Sequence, residues 1–158
     1  MITLNKKTQP EKSLRQRALE YLGKREYSYK ELGHKLIPYL TEHETEDSIT
    51  EILDDFKARG WLSDTRFTDQ LVHVRRVKFG SSKIAQELRE KGVSNDLVSD
   101  ALDKLKESDL TAATEVWRKK YKVSATDKNE RAKQARFLQS RGFDFDIIKK
   151  VLNAKYDD

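Results

Sequence analysis

The stretch FGSSKIAQELREKGVSNDLVSDAL, Phe79 to Leu102, decides how the rest of the chain is read. Two amphipathic segments flank a Gly-Val turn, the layout of a helix-turn-helix reader of DNA. Two features argue against that role. The residue four before the turn glycine is usually small, so that the helices approach closely; here it is Leu88. The second segment carries Asp96, Asp100, Asp103 and Glu107 against Lys104 and Lys106. Such a helix would enter the major groove against the phosphate field.

Working outward, the pattern recurs. KARGW (Lys57 to Trp61), REKGV (Arg89 to Val93) and QSRGF (Gln139 to Phe143) each place a base before a glycine and an apolar residue after it. A helix stops this way, with cations on its carbonyl end and glycine in a left-handed cap. The helices that follow the last two stops also correspond: Val98, Ala101 and Leu102 superpose on Ile148, Val151 and Leu152, and Ile49, Ile52, Leu53 and Phe56 on Val98, Ala101, Leu102 and Leu105. Among the middle helices, SYKELGHKL (Ser28 to Leu36) pairs Leu32 and Leu36 with Ile84 and Leu88, and ERAKQARFL (Glu130 to Leu138) pairs Ala135 and Leu138 with Ala85 and Leu88. Leading helices open at Leu14, Ser63 and Ser108; the last two begin Ser-Asp, an N-cap beside an acid. Each runs on to an aromatic: Tyr27, Phe79, Tyr121.

The expectation is an all-α chain of about nine helices in three tandem three-helix repeats. The bounds are 13–62, 63–107 and 108–158, after a flexible N-terminal tail at 1–12. A repeat of about fifty residues is near the lower limit for an independent core, so the repeats should lean on one another as in a short solenoid, elongated and curved. Composition agrees. Six glycines and two prolines are few for the turns of an all-β chain. No cysteine is present, which excludes disulfides, thiolate metal sites and cysteine nucleophiles. No apolar run approaches the ~20 residues of a membrane span, and no signal-peptide pattern opens the chain. A soluble, cytoplasmic, monomeric protein is expected.

The net charge of +5 is modest but unevenly placed. Glu42, Glu44, Glu46, Asp47, Glu51, Asp54 and Asp55 crowd one segment without a Lys or Arg, while nine bases between Arg118 and Arg141 face Asp127 and Glu130. Any one such run can be a solvated helix face; their separation along the chain favours a polyanion partner near the basic two-thirds. The candidate binding residues are Arg75, Arg76, Lys78 and Lys83 in the second repeat, with Arg118, Lys119, Lys120, Lys133 and Arg136 in the third. No acid lies between Arg75 and Lys83 to neutralise the Gly80 corner. Replacing Arg75 and Arg76 by Glu is accordingly expected to keep the fold and weaken binding. Lys83, Glu87 and Lys91 also have the spacing of a helix salt ladder.

Four motifs in order carry a family resemblance: S-Y-K-E-L-G-H-K-L (Ser28 to Leu36), G-W-L-S-D-T-R-F (Gly60 to Phe67), F-G-S-S-K-I-A-Q-E-L-R-E-K-G-V (Phe79 to Val93) and R-F-L-Q-S-R-G-F (Arg136 to Phe143). With them the chain resembles the RecX family, bacterial modulators of the recombinase RecA, over nearly all its length after about residue 13. Gly33 in a middle helix and the segment KYKVSATDKN (Lys120 to Asn129) depart from the pattern. The resemblance implies a non-enzymatic regulator that binds RecA and the RecA–single-stranded-DNA filament, lying in the filament groove and hindering ATPase and strand exchange. If the bases of the second and third repeats contact phosphates, weak direct binding to single-stranded DNA that falls steeply with salt is also expected. The alternatives are an independent helix-turn-helix DNA-binding protein and a tandem-repeat scaffold without nucleic acid.

Catalytic and metal chemistry find little footing. His34, His43 and His73 sit in three different elements with no partner at ligand spacing. Neither G-x-x-x-x-G-K-[ST] nor G-x-G-x-x-G occurs, so no phosphate loop or cofactor site is expected. The acids from Glu42 to Asp55 are spread around a helix and its lead-in, a solvated or partner-facing patch rather than a magnesium site. Trp61 and Trp117 are both expected to be buried, Trp61 between the first two repeats; base stacking is the alternative for Trp117.

Overall fold

The computed structural model describes residues 12–154. The expected N-terminal tail, Lys12 apart, lies outside the described residues. Within them the protein is all-helical, with eight α-helices, one 3-10 turn and no strand. The chain divides after Ser63 into two compact units.

The first unit contains α1 (Leu14–Leu22), α2 (Tyr29–Leu36), a 3-10 turn (Ile37–Tyr39) and α3 (Glu46–Ala58). Each helix starts where a hydroxyl side chain can satisfy an orphan amide. Ser13 Oγ accepts from the Gln16 N–H, and Ser28 Oγ from that of Glu31. Thr45 and Ser48 cap α3 reciprocally. The apolar spacing then turns one face of each helix inward: Leu14 and Ala18, Leu32 and Leu36, and Ile49, Leu53 and Phe56 form one core.

The second unit contains α4 (Asp64–Arg75), α5 (Ser81–Glu90), α6 (Asn95–Lys120), α7 (Lys128–Ser140) and α8 (Phe145–Asn153). It has two core clusters. One gathers Phe67, Ile84, Ala85, Leu88, Val93, Val98 and Leu105; the other gathers Ala112, Ala113, Val116, Trp117, Leu138, Phe143, Ile148 and Val151. Helix α6 runs through both. The sequence reading starts a helix at Ser108, and the structure corrects it: α6 is continuous across Ser108-Asp109, whose capping chemistry goes unused there. No helix breaker lies between Lys104 and Ala113, and Asp109 is held by tertiary partners instead. Two expected helices are thereby one.

The three base-Gly-apolar stops share one geometry. The N–H groups of Gly60, Gly92 and Gly142 donate to the carbonyls of Lys57, Arg89 and Gln139. Those of Trp61, Val93 and Phe143 donate to Phe56, Leu88 and Leu138. This pair of bonds is the Schellman motif, and it requires a left-handed residue at the glycine. The three glycines have φ of 76°, 76° and 91°. The residue that accepts the outer bond, Phe56, Leu88 or Leu138, is in each case fully buried, as is expected of the apolar contact that closes the motif.

Candidate nucleic-acid interface

The Gly80 corner is where the sequence concentrates its cations, and the structure sorts them. Gly80 sits against the end of α7: its N–H donates to the Arg141 carbonyl at 2.7 Å, and the Ser82 N–H donates to that of Gly142 at 3.2 Å. A Cβ on Gly80 would fall 2.5 Å from the Gly142 carbonyl oxygen. Only glycine allows this contact, and through it the start of α5 and the end of α7 are held together.

Arg76 turns inward. Its Nη1 donates to Asp109 Oδ1 at 2.6 Å, and its Nη2 to the Leu105 carbonyl at 2.7 Å and to Ser108 Oγ at 2.8 Å. Asp109 is 1% exposed and also accepts from the Ser81 N–H and hydroxyl. Gly80, the N-cap of α5, has no side chain to offer. Asp109 therefore caps α5 from a different helix, placing negative charge at its amide end. This pair locks α4, α5 and α6 together. The expectation that Arg76→Glu keeps the fold is corrected: it would set a second carboxylate against a buried one.

Arg75 pairs with Glu87, Nε to Oε2 and Nη2 to Oε1 both at 2.9 Å. The fork holds the Arg75 guanidinium above its ordinary pKa, through the Glu87 hydrogen bonds first and charge attraction second. Glu87 is thus taken by Arg75 rather than by the expected ladder with Lys83 and Lys91. In space the corner has two acids that the linear sequence between Arg75 and Lys83 does not contain.

The remaining candidates face outward. Lys78, Lys83, Arg118, Lys119, Lys120, Lys133 and Arg136 are all exposed. Lys83 donates from Nζ to the Ser140 carbonyl at 3.1 Å and lies 5.2 Å from the centre of the Phe79 ring. Lys120 Nζ lies 4.0 Å from the centre of Phe137 and 5.6 Å from that of Tyr121. Between them stands Arg141, whose guanidinium carbon is 5.6 Å from the Phe79 centre and 5.1 Å from the Phe137 centre. Tyr121 meets Phe137 edge-on at 5.6 Å. Lys133, one step of i, i+4 before Phe137, lies on the same side of α7, whereas Arg136, its immediate neighbour, projects about 100° away round the helix.

Arg141, Phe79, Phe137 and Tyr121 were not among the candidates. Arg141 is the base before the third stop glycine and Phe79 and Tyr121 are the aromatics that follow two leading helices, but Phe137 lies inside a middle helix and nothing in the sequence marks it or joins the four into a row. Trp117 is buried, as expected, and its indole donates to Gln134 Oε1 at 2.9 Å. Trp61 is not: it is 43% exposed, beside Phe56 with the guanidiniums of Arg15 and Arg59 over its ring. The acids of the supposed recognition helix, Asp96, Asp100, Asp103 and Glu107, are exposed on α6, and Leu88 is fully buried. Among the described residues no group of three or more His, Asp or Glu could hold a metal ion, and no helix is long and apolar enough to cross a membrane.

Comparison with known proteins places this arrangement. The family model described as RecX, second three-helix domain, matches residues 63–102, and that of the third three-helix domain matches residues 107–152. A regulatory protein RecX of Leptothrix cholodnii is 43% identical over 90% of this chain and 89% of its own length. One from Chromobacterium violaceum is 42% identical over 93% of each. The crystal structure of RecX from Lactobacillus salivarius superposes with a TM-score of 0.68 at 25% identity, covering 88% of this chain and 92% of that one. With this identity sustained over nearly the whole length of both chains, the protein belongs to the RecX family of regulatory proteins.

Proposed function

We propose that this RecX-family protein binds RecA and the RecA–single-stranded-DNA filament and mainly inhibits RecA's ATPase and strand exchange. It acts by binding, without catalysis of its own, as a cytoplasmic monomer. Family membership at 43% identity over 90% of the chain carries this reading. The exposed cations of α6 and α7 support it, since a filament offers both a protein wall and a phosphate backbone. Sequence-specific reading of duplex DNA by α6 has the electrostatics against it, because its exposed acids would face the phosphates.

The test is a binding titration against RecA alone, single-stranded DNA alone and the assembled filament, each over a range of salt. The filament should bind tightest. Affinity for bare DNA should be weak and fall more steeply with salt than affinity for the filament, because protein contacts carry part of the latter. Equal salt slopes for DNA and filament would contradict a composite surface. Tight binding to bare duplex, unimproved by RecA, would favour the independent DNA-binding protein.

A further inference from the structure

Two sets of cations in this chain differ in what holds them. Arg15 and Arg59 lie over Trp61, and Arg25 over Tyr27, but each is also bonded to a carboxylate, Asp55 or Glu31. Arg75 and Arg76 are bonded to Glu87 and Asp109. Lys83, Arg141 and Lys120 differ. They rest on aromatic rings, and among the described residues none of them forms an ion pair. Arg17 rests in the same way over Tyr39 in the first unit.

A cation braced on a ring keeps its full charge for an external anion, whereas one forked to a carboxylate does not. The ring also restricts a long side chain that would otherwise lose its freedom on binding. The row is continuous, since Lys83 and Arg141 share Phe79, and Arg141 and Lys120 share Phe137. The Gly80–Gly142 contact fixes its middle. Phe79, Phe137 and Tyr121 are all partly exposed beside the cations they carry.

The geometry points to this row, Lys83–Phe79–Arg141–Phe137–Lys120–Tyr121, as a binding strip for single-stranded nucleic acid, with phosphates on the three cations and bases against the ring edges. The assignment rests on the proposed role at a DNA-bearing filament for its setting, and the strip itself is testable without RecA. A single strand fits better than a duplex because only a single strand can offer both its phosphates and its base faces to one row. An acidic protein would use the cations but leave the rings without a role.

The experiment is the binding of labelled oligo-dT to the full chain as a function of salt. The comparison is with Lys83→Gln/Lys120→Gln/Arg141→Gln and with a charge-matched control, Lys24→Gln/Lys35→Gln/Lys57→Gln, on the first unit. Melting curves check that all are folded. Each lost phosphate contact should lower the log–log salt slope by about 0.7, so the strip variant should lose about 2 and the control almost nothing. The single variants read the same change one step at a time should the triple variant unfold. Phe137→Leu should weaken binding about fivefold with the slope nearly kept, because the aromatic contact with a base is lost while the charges stay. Several outcomes overturn the strip: no measurable binding by the parent at low salt, equal slope losses in strip and control variants, or equal affinity for duplex. Displacement by polyglutamate as effective as by unlabelled oligo-dT would do so too, and would reassign the row to an acidic protein. RecA inhibition by the parent chain, alongside an oligo-dT slope that the strip variant leaves unchanged, would sink the strip and leave the proposed function standing; a lowered slope in the strip variant alongside no RecA inhibition by the parent would sink only the function.

Discussion

At the scale of single residues, Arg75 and Arg76 are adjacent and chemically identical, yet they do different work. The side chain of Arg76 is 18% exposed and that of its partner Asp109 2%, while the side chain of Arg75 is 41% exposed. Removing one member of a buried pair strands the other, at a cost of about 3–5 kcal/mol; an exposed pair contributes at most about 1 kcal/mol. Arg76→Ala should therefore lower the urea midpoint of the second unit sharply and Arg75→Ala barely, and equal effects would contradict the assignment. The sequence shows the cations but not this division, because Asp109 reaches Arg76 only once α6 has carried it there. Asp55 makes a comparable point in the first unit. Hydrogen bonds from Arg15 first and Arg59 second hold its carboxyl below the ordinary value of 3.8. A carboxylate with a lowered folded pKa stabilises above its unfolded pKa, and that contribution is lost as pH falls through the lowered value. In a carboxyl NMR titration Arg15→Ala should move the Asp55 midpoint upward; an unmoved midpoint would show the pair to be incidental.

At the scale of elements, the helix stops were the most legible feature of the chain. The base-Gly-apolar signature reports a local event, a left-handed cap closed over a buried side chain, and needs no knowledge of the fold. Helix starts were read less well. Ser13, Ser28, Ser94, Asp127 and Asp144 accept at their own helix ends, but Ser108-Asp109 has the same chemistry in the middle of α6. A cap motif is a local preference, and the buried Asp109 pair overrides it. The stop glycines can be ranked. Both Gly60→Ala and Gly142→Ala force a side chain into positive φ, which costs about 1–2 kcal/mol. At Gly60 a Cβ meets nothing within 4 Å, whereas at Gly142 it falls 2.5 Å from Lys83 Cβ. Gly142→Ala should cost a further ~1–3 kcal/mol from overpacking. Hydrogen exchange at Leu53 and Leu138 reads the two costs separately, and equal losses would refute the α5–α7 contact as the reason for Gly142.

At the scale of the whole molecule, periodicity in the sequence was enough for the helical class, because repeated apolar faces leave few other ways to bury them. The aromatic–cation row was not legible in advance. Its members come from the end of α4, the start of α5, the end of α6 and the end of α7, and they come into line only through the Gly80–Gly142 contact and the packing of α6 on α7 at Trp117 and Gln134. The continuity of α6 has its own consequence. A fragment ending at residue 107 loses Asp109 and half of the helix that joins the two cores of the second unit. In it α4 and α5 should lose slow amide exchange while α1 to α3 keep theirs; protected amides in α5 of that fragment would show its core to be self-sufficient. Whether the chain regulates RecA on DNA is read from the rate of RecA's ATP hydrolysis on single-stranded DNA as the chain is titrated in. The rate should fall progressively, and less for Lys83→Gln/Lys120→Gln/Arg141→Gln at equal concentration. A rate unchanged by the parent chain, at concentrations where it binds the filament, would contradict that role.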